Sequence, residues 1–259
     1  MKKLFLILFI LIFSNISPSY CTPLTGGVTE IGQGSKVVDA KTNAPIEGAL
    51  VSIPQLNYKT TTDSNGAFAL NATINGETIM SVQKNGYRPF SITIDKDIAA
   101  KPLIVGIQKS DVMDLVIDED MIHLGDNTFS KESANSGDFR LEAIGPTYLK
   151  RFKMTSNTLN YDNYLVIGSI IGIDTEMARK MKQNSITTSY SSPPEVFFNG
   201  KKIAQIQLNG DNQSIKLPKA AIKPDDVNEI VIQTGLNLFQ KARLDYDDIE
   251  LMNISIQSE

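Results

Sequence analysis

The sequence predicts an all-β protein folded as two consecutive sandwiches. Three observations carry this. Apolar and polar residues alternate over short runs, turns rich in Asn and Gly punctuate those runs, and an acidic passage near residue 110 divides them into two groups. At 259 residues, with 41% hydrophobic and 7% aromatic side chains, each group has material for its own core.

The chain opens with a basic Met1-Lys2-Lys3, an unbroken apolar run from Leu4 to Phe13, and a polar stretch of small residues from Ser14 to Cys21. This pattern is a secretory signal over residues 1–21, because ten apolar residues fall short of the ~30 Å hydrocarbon core. Ser19 and Cys21 fit the small-residue positions of a signal peptidase site. Tyr20 departs from the Leu-Ala-Gly-Cys pattern of lipoproteins, so cleavage is favoured over lipid anchoring at Cys21. The expected product is secreted or periplasmic, lacks cysteine, and has no membrane span. Residues 22–33, rich in Gly, Thr and Pro, read as a flexible tether.

Residues 34–110 form the first expected domain. Val37-Val38, a Thr42-Asn43-Ala44-Pro45 turn, and Ala49, Val51, Ile53 on alternate positions read as strand, turn, strand. At Asp63 to Gly66 a tight turn needs glycine for its backbone angle and uses Asp63 to cap its amides. Short strands follow at Ile79 to Val82, Tyr87 to Ile94 and Leu103 to Ile107. The "D-x-x-T-x-x-P-I-x-G-A-x-V" run at Asp39 to Val51 and "T-D-S-N-G-x-F" at Thr62 to Phe68 resemble the carboxypeptidase regulatory-like domain. That resemblance implies a seven-stranded prealbumin-like sandwich serving as a rigid spacer without catalytic residues.

Residues 111–259 form the second. Asp111, Asp114, Asp118, Glu119 and Asp120 make an acidic connector leading into a strand at Leu115 to Ile117. His123 to Asn127 and Asn135 to Phe139 read as polar loops, and strands follow at Leu149 to Met154 and Tyr164 to Ile171. Met177, Ala178 and Met181 share one face of a short helix capped by Asp174 or Thr175. Val196 to Phe198, Asn199-Gly200 and Ile203 to Leu208 signal a hairpin, since both central residues of a type I′ turn need positive φ. Strands at Val227 to Thr234 and Ile249 to Ile256 flank an acidic corner at Asp245, Asp247 and Asp248. The hairpin followed by Asn228 to Ile232 resembles the C-terminal half of galactose-binding-like jelly rolls, which implies a jelly-roll sandwich.

The single histidine, the absence of a G-x-S-x-G elbow and the absence of a phosphate loop leave no catalytic set, so the protein is expected not to be an enzyme. The 25 basic side chains, two of them in the leader, face 29 acidic ones and form no cluster beyond Lys150-Arg151-Phe152-Lys153, which argues against nucleic acid. The candidate ligand-binding residues are His123, Asp126, Asn127, Tyr161 and Tyr190, short polar or aromatic groups suited to sugar hydroxyls and sugar faces. Asp245, Asp247 and Asp248 offer hard oxygens for Ca²⁺, and the jelly-roll resemblance implies a structural Ca²⁺ there. A solvated acidic corner is the other reading. The expectation is carbohydrate or cell-surface binding through the jelly-roll loops. The alternatives are a structural or protein-binding module of an envelope assembly, and an accessory protein of a glycoside hydrolase.

Overall fold

The computed structural model describes residues 28–30, 34–128, 133, 139–184 and 189–259. The expected leader, the cleavage site at Cys21, most of the tether and the Asn135 to Asp138 loop lie outside them.

The first domain runs β1 (Val28–Glu30), β2 (Ser35–Asp39), β3 (Leu50–Ile53), β4 (Tyr58–Thr61), β5 (Ala67–Phe68), β6 (Thr78–Gln83), β7 (Phe90–Ile94), a one-turn helix α1 (Lys96–Ala99) and β8 (Leu103–Ile107). Two four-stranded sheets, β1-β8-β2-β5 and β4-β3-β6-β7, enclose a core of Val37, Val51, Ile53, Met80, Val82, Ile94 and Val105. Among the described strands of this domain, β2 and β8 alone run parallel. Val28–Glu30, expected within a tether, pairs with the edge of β8. So short a strand owes its form to the partner and not to any pattern of its own. The Asp63 turn is as expected: Gly66 sits at φ 70° and Asp63 Oδ1 accepts from the amides of Asn65 and Ala67.

The second domain runs β9 (Leu115–Leu124), β10 (Thr147–Lys153), β11 (Asn163–Ile171), α2 (Glu176–Lys180), β12 (Glu195–Phe198), β13 (Lys201–Gln205), β14 (Gly210–Lys216), β15 (Val227–Gln233) and β16 (Ile249–Ser258). Sheets β10-β15-β12-β13 and β14-β11-β16-β9 are antiparallel throughout and enclose Leu124, Leu165, Ile167, Phe198, Ile230, Ile232, Leu251 and Ile254. The molecule is therefore all-β, and the hairpin at Asn199 (φ 48°) and Gly200 (φ 77°) has the positive-φ pair its sequence demands. Thr175, not Asp174, caps α2, its side chain accepting from the amide of Ala178. Of the face expected to be apolar and packed, Ala178 is buried while Met177 and Met181 are exposed.

The two domains share an interface of sheet on sheet. β6 and β7 lie against β11, β14 and β16, with Ile79, Ile171 and Met252 buried between them. This explains why all ten residues of β16 are buried: one face meets the second-domain core and the other the first domain. A bulge at Asn253 (φ 59°) changes the parity of β16, so that Ile249, Leu251, Ile254 and Ile256 all reach the second-domain core. Asn253 itself turns to the first domain, donating from Nδ2 to Ser81 Oγ at 3.0 Å and accepting from Gln83 Nε2 at 3.3 Å. Asp211 Oδ1 accepts from Thr93 N, Thr93 Oγ1 and Ser169 Oγ at 2.9, 2.9 and 2.6 Å. The connector is likewise fixed, since Asp114 holds the Arg88 guanidinium through both oxygens and accepts from Ser258 N. The approach is close enough that a Cβ on Gly168 would stand 2.5 Å from Ser91 Oγ and 2.9 Å from Asn253 Cβ. Gly168→Val should therefore lower stability by about 1–3 kcal/mol through overpacking. A urea midpoint unmoved by the substitution would mean that the sheets are not held in contact.

Candidate functional site

The end of the second domain where β9 and β11 finish and β16 begins gathers most of its buried charge. His123 is the penultimate residue of β9, not a loop residue, because the strand continues well past Ile117. It pairs across to Glu250 on β16, and alternation puts Glu250 and Asp248 on the same face as His123, away from the apolar core. His123 Nε2 donates to Asp248 Oδ1 at 2.9 Å and Nδ1 to the Leu141 carbonyl at 2.5 Å. Both ring nitrogens therefore face acceptors, an arrangement that needs the imidazolium. Burial, the strongest single influence, lowers its pKa. The hydrogen bonds to Asp248 and Leu141 and the charges of Asp248 and Glu250 together outweigh it and raise the value. With both nitrogens engaged and the Phe139 ring edge-on at 5.1 Å, His123 has no free face for a ligand or a proton-transfer role.

Asp126, half-buried, and Asn127, exposed, adjoin this frame. Asn127 takes φ 61°, gives its amide to Asp248 Oδ1 at 2.9 Å, and accepts from Ala143 N. Asp126 accepts from Thr128 N and, across the corner, from Tyr246 N at 3.0 Å. His123 and Asn127 meet at Asp248 while Asp126 ties the loop to Tyr246, so that together they brace the early loop against the start of β16. Tyr161 lies at the opposite end of β11, after a 3₁₀ turn. Tyr190 lies beside Phe239, ring centroids 4.9 Å apart, with Arg179 over its ring at 5.3 Å.

Asp245, Asp247 and Asp248 are buried rather than solvated, at 2%, 0% and 0% exposure. They turn to three different places. Asp245 Oδ2 accepts from Asn237 Nδ2, Asp247 Oδ2 from Asp174 N at 3.0 Å and Ser191 Oγ at 2.8 Å, and Asp248 Oδ1 from His123 and Asn127. Among the described residues no three His, Cys, Asp or Glu side chains converge as a metal-holding group. The donor set does not fit Ca²⁺, which takes six to eight oxygens around one point.

Beside this frame, between the domains, lies a cleft of about 620 Å³. From the first domain Gln55, Leu56, Ile74, Asn75 and Glu77 line it; from the second, Phe139, Arg140, Asp174, Lys182, Asn184 and Asn209. Asn209 is set in place by Ile173 N, which donates to its Oδ1 at 2.7 Å. Asn184 donates to Asp174 Oδ1, while Asp174 Oδ2 is buried without a hydrogen-bond partner. Burial pushes the Asp174 carboxyl up to about 8, helped by the neighbouring Asp247 charge and only partly opposed by Arg179. Burial also raises Glu77, with Asp95 and Asp211 adding to the effect. Glu250, reached by Gln55 Nε2 of the first domain, is raised to about 7 for the same reason. The cleft thus offers amides, two cations and, in Asp174, a carboxyl group raised to about 8 that holds its proton at neutral pH.

The chain is thus a pair of sandwiched β domains with a polar cleft between them. Residues 34–115 match the family model of the CarboxypepD_reg-like domain, a regulatory, non-catalytic β module. No curated protein matches the chain. No helix among the described residues is long and apolar enough to cross a membrane.

Proposed function

We propose that the protein is an exported, non-enzymatic binding protein whose ligand is an uncharged, hydroxyl-rich molecule of the carbohydrate class, held in the cleft between its two domains. The observation that carries this reading is Asp174, a residue of the cleft wall that is 1% exposed and whose carboxyl keeps one buried oxygen unpartnered. A buried polar atom without a partner is costly, and a ligand hydroxyl is the group that relieves it. The amides of Gln55, Asn75, Asn184 and Asn209 add donors and acceptors in the mixture that sugar hydroxyls need. Leu56, Ile74 and Phe139 supply small apolar walls for the faces of a sugar ring. In this reading the first domain contributes half the site instead of spacing the second from a surface, while His123, Asp126 and Asn127 brace the cleft without touching the ligand.

The test is a glycan array followed by calorimetry on whatever binds. Asn184→Ala and Asn75→Ala, at half-buried and exposed positions, should each weaken a genuine cleft ligand by roughly tenfold, the worth of a lost buried hydrogen bond. No glycan binding, or binding indifferent to both substitutions, would exclude the cleft as a sugar site.

A further inference from the structure

Residues 236–246 form a finger whose base is locked and whose tip is apolar. Isolated bridges Leu236 to Tyr246 and Ser191 to Asn237 close the base. Asn237 secures it, donating from Nδ2 to Asp245 Oδ2 at 2.7 Å while its Oδ1 accepts from Ser189 Oγ, Phe239 N and Gln240 N. This rigid support holds Leu238, Phe239 and Leu244 out at 51%, 55% and 68% exposure. Through the Phe239–Tyr190–Arg179 contacts the tip continues onto α2, where Met177 and Met181 are also exposed. The charge of this region opposes that of the chain. Residues 176–182 and 238–244 carry Arg179, Lys180, Lys182, Lys241 and Arg243 against Glu176 alone, in a protein of net charge −4. Glu176 is already paired with Lys180.

We infer that the finger and α2 together dock the protein peripherally onto an anionic lipid surface, the apolar side chains entering the headgroup boundary and the cations meeting phosphate. Interleaved apolar and basic side chains on one small, projecting support match a layer of negative charge over hydrocarbon. The inference uses none of the residues on which the cleft reading depends, apart from Lys182 at their shared border.

The experiment is co-sedimentation of the purified protein with vesicles of phosphatidylcholine alone and of phosphatidylcholine with phosphatidylglycerol. Binding is expected only with phosphatidylglycerol, weaker in 0.5 M salt than in 0.1 M because exposed charge is screened over a Debye length of ~3–10 Å. Leu238→Ser with Phe239→Ser and Leu244→Ser should abolish it, and Lys241→Glu with Arg243→Glu should weaken it by at least about tenfold. Phe239→Ser also removes the ring contact to Tyr190, so the Lys241→Glu with Arg243→Glu variant, which alters exposed side chains alone, is the one whose melting curve should match the parent. No binding to anionic vesicles, or binding that both sets leave unchanged, overturns the proposal. So does self-association in solution that the Leu238, Phe239 and Leu244 changes abolish, which would make the finger a contact between copies.

Discussion

Replacing His123 with alanine should cost about 3–5 kcal/mol of stability, the range for removing one partner of a buried ion pair. Asp248 is fully buried, and its Oδ1 would keep only the Asn127 amide, while the Leu141 carbonyl would lose its donor. The damage would spread, because Asn127 and Asp126 set the early loop against Tyr246 and so against the entrance to β16. For a chain of this size the melting temperature should fall by roughly 10 °C. A cycle of His123→Ala, Asp248→Ala and the double substitution separates the pair from its surroundings. The double variant should lose clearly less than the sum, since each single change strands the other group. Were His123 instead a surface ligand contact, the single substitution would leave the denaturation midpoint in place, and that outcome would remove the bracing role.

The same residues show how far the sequence could be read. Alternation and turn chemistry are local, so the all-β class, the Asn199-Gly200 hairpin and the Asp63 turn were legible directly from neighbouring residues. Burial of the acidic corner was not. Three aspartates within four positions look solvated on their own, and only the pairing of β16 with β9 and β11 puts them inside. His123 looked like a loop residue because the Asp118-Glu119-Asp120 run interrupts the apolar pattern of β9, although those side chains continue the strand. The cleft was invisible for a deeper reason. Its walls come from separated segments of both domains, and the sheet contact that brings them together leaves only a weak trace: Gly168 and Ser169 inside an apolar strand, and serines at 81 and 91 where a solvent face would also tolerate them. Met177 and Met181 have the spacing of a buried face, and spacing alone cannot say that nothing covers them.

Stability should also decline as pH rises through neutrality, against the usual expectation for an acidic protein. Burial raises Asp174 to about 8 and Asp247 and Glu250 to about 7, while the unfolded chain releases these protons near pH 4. Between those limits the folded protein binds more protons than the unfolded one, and stability falls with pH wherever that holds. His123 acts in the same direction: its pKa is raised on folding, so its contribution is complete below about 6.5 and is lost as pH climbs through the raised value. The carboxylates lowered by their partners, Asp39, Asp162, Glu176 and Glu195, oppose this only below about pH 4.5, where they begin to protonate in the unfolded chain. Unfolding free energy should therefore drop from pH 5.5 to 8.5, by at most about 7 kcal/mol at 1.36 kcal/mol per proton and pH unit, and by less as the site relaxes around its charges. Asp247→Asn keeps an acceptor for Asp174 N and Ser191 Oγ but cannot ionise. The variant should flatten the profile and exceed the parent in stability at pH 8.5, with little difference at pH 5.5. A parent curve that is level or rising over this range would mean that the carboxyls are ionised in the folded state, and with that the neutral Asp174 facing the cleft would be lost as a hydrogen-bond donor.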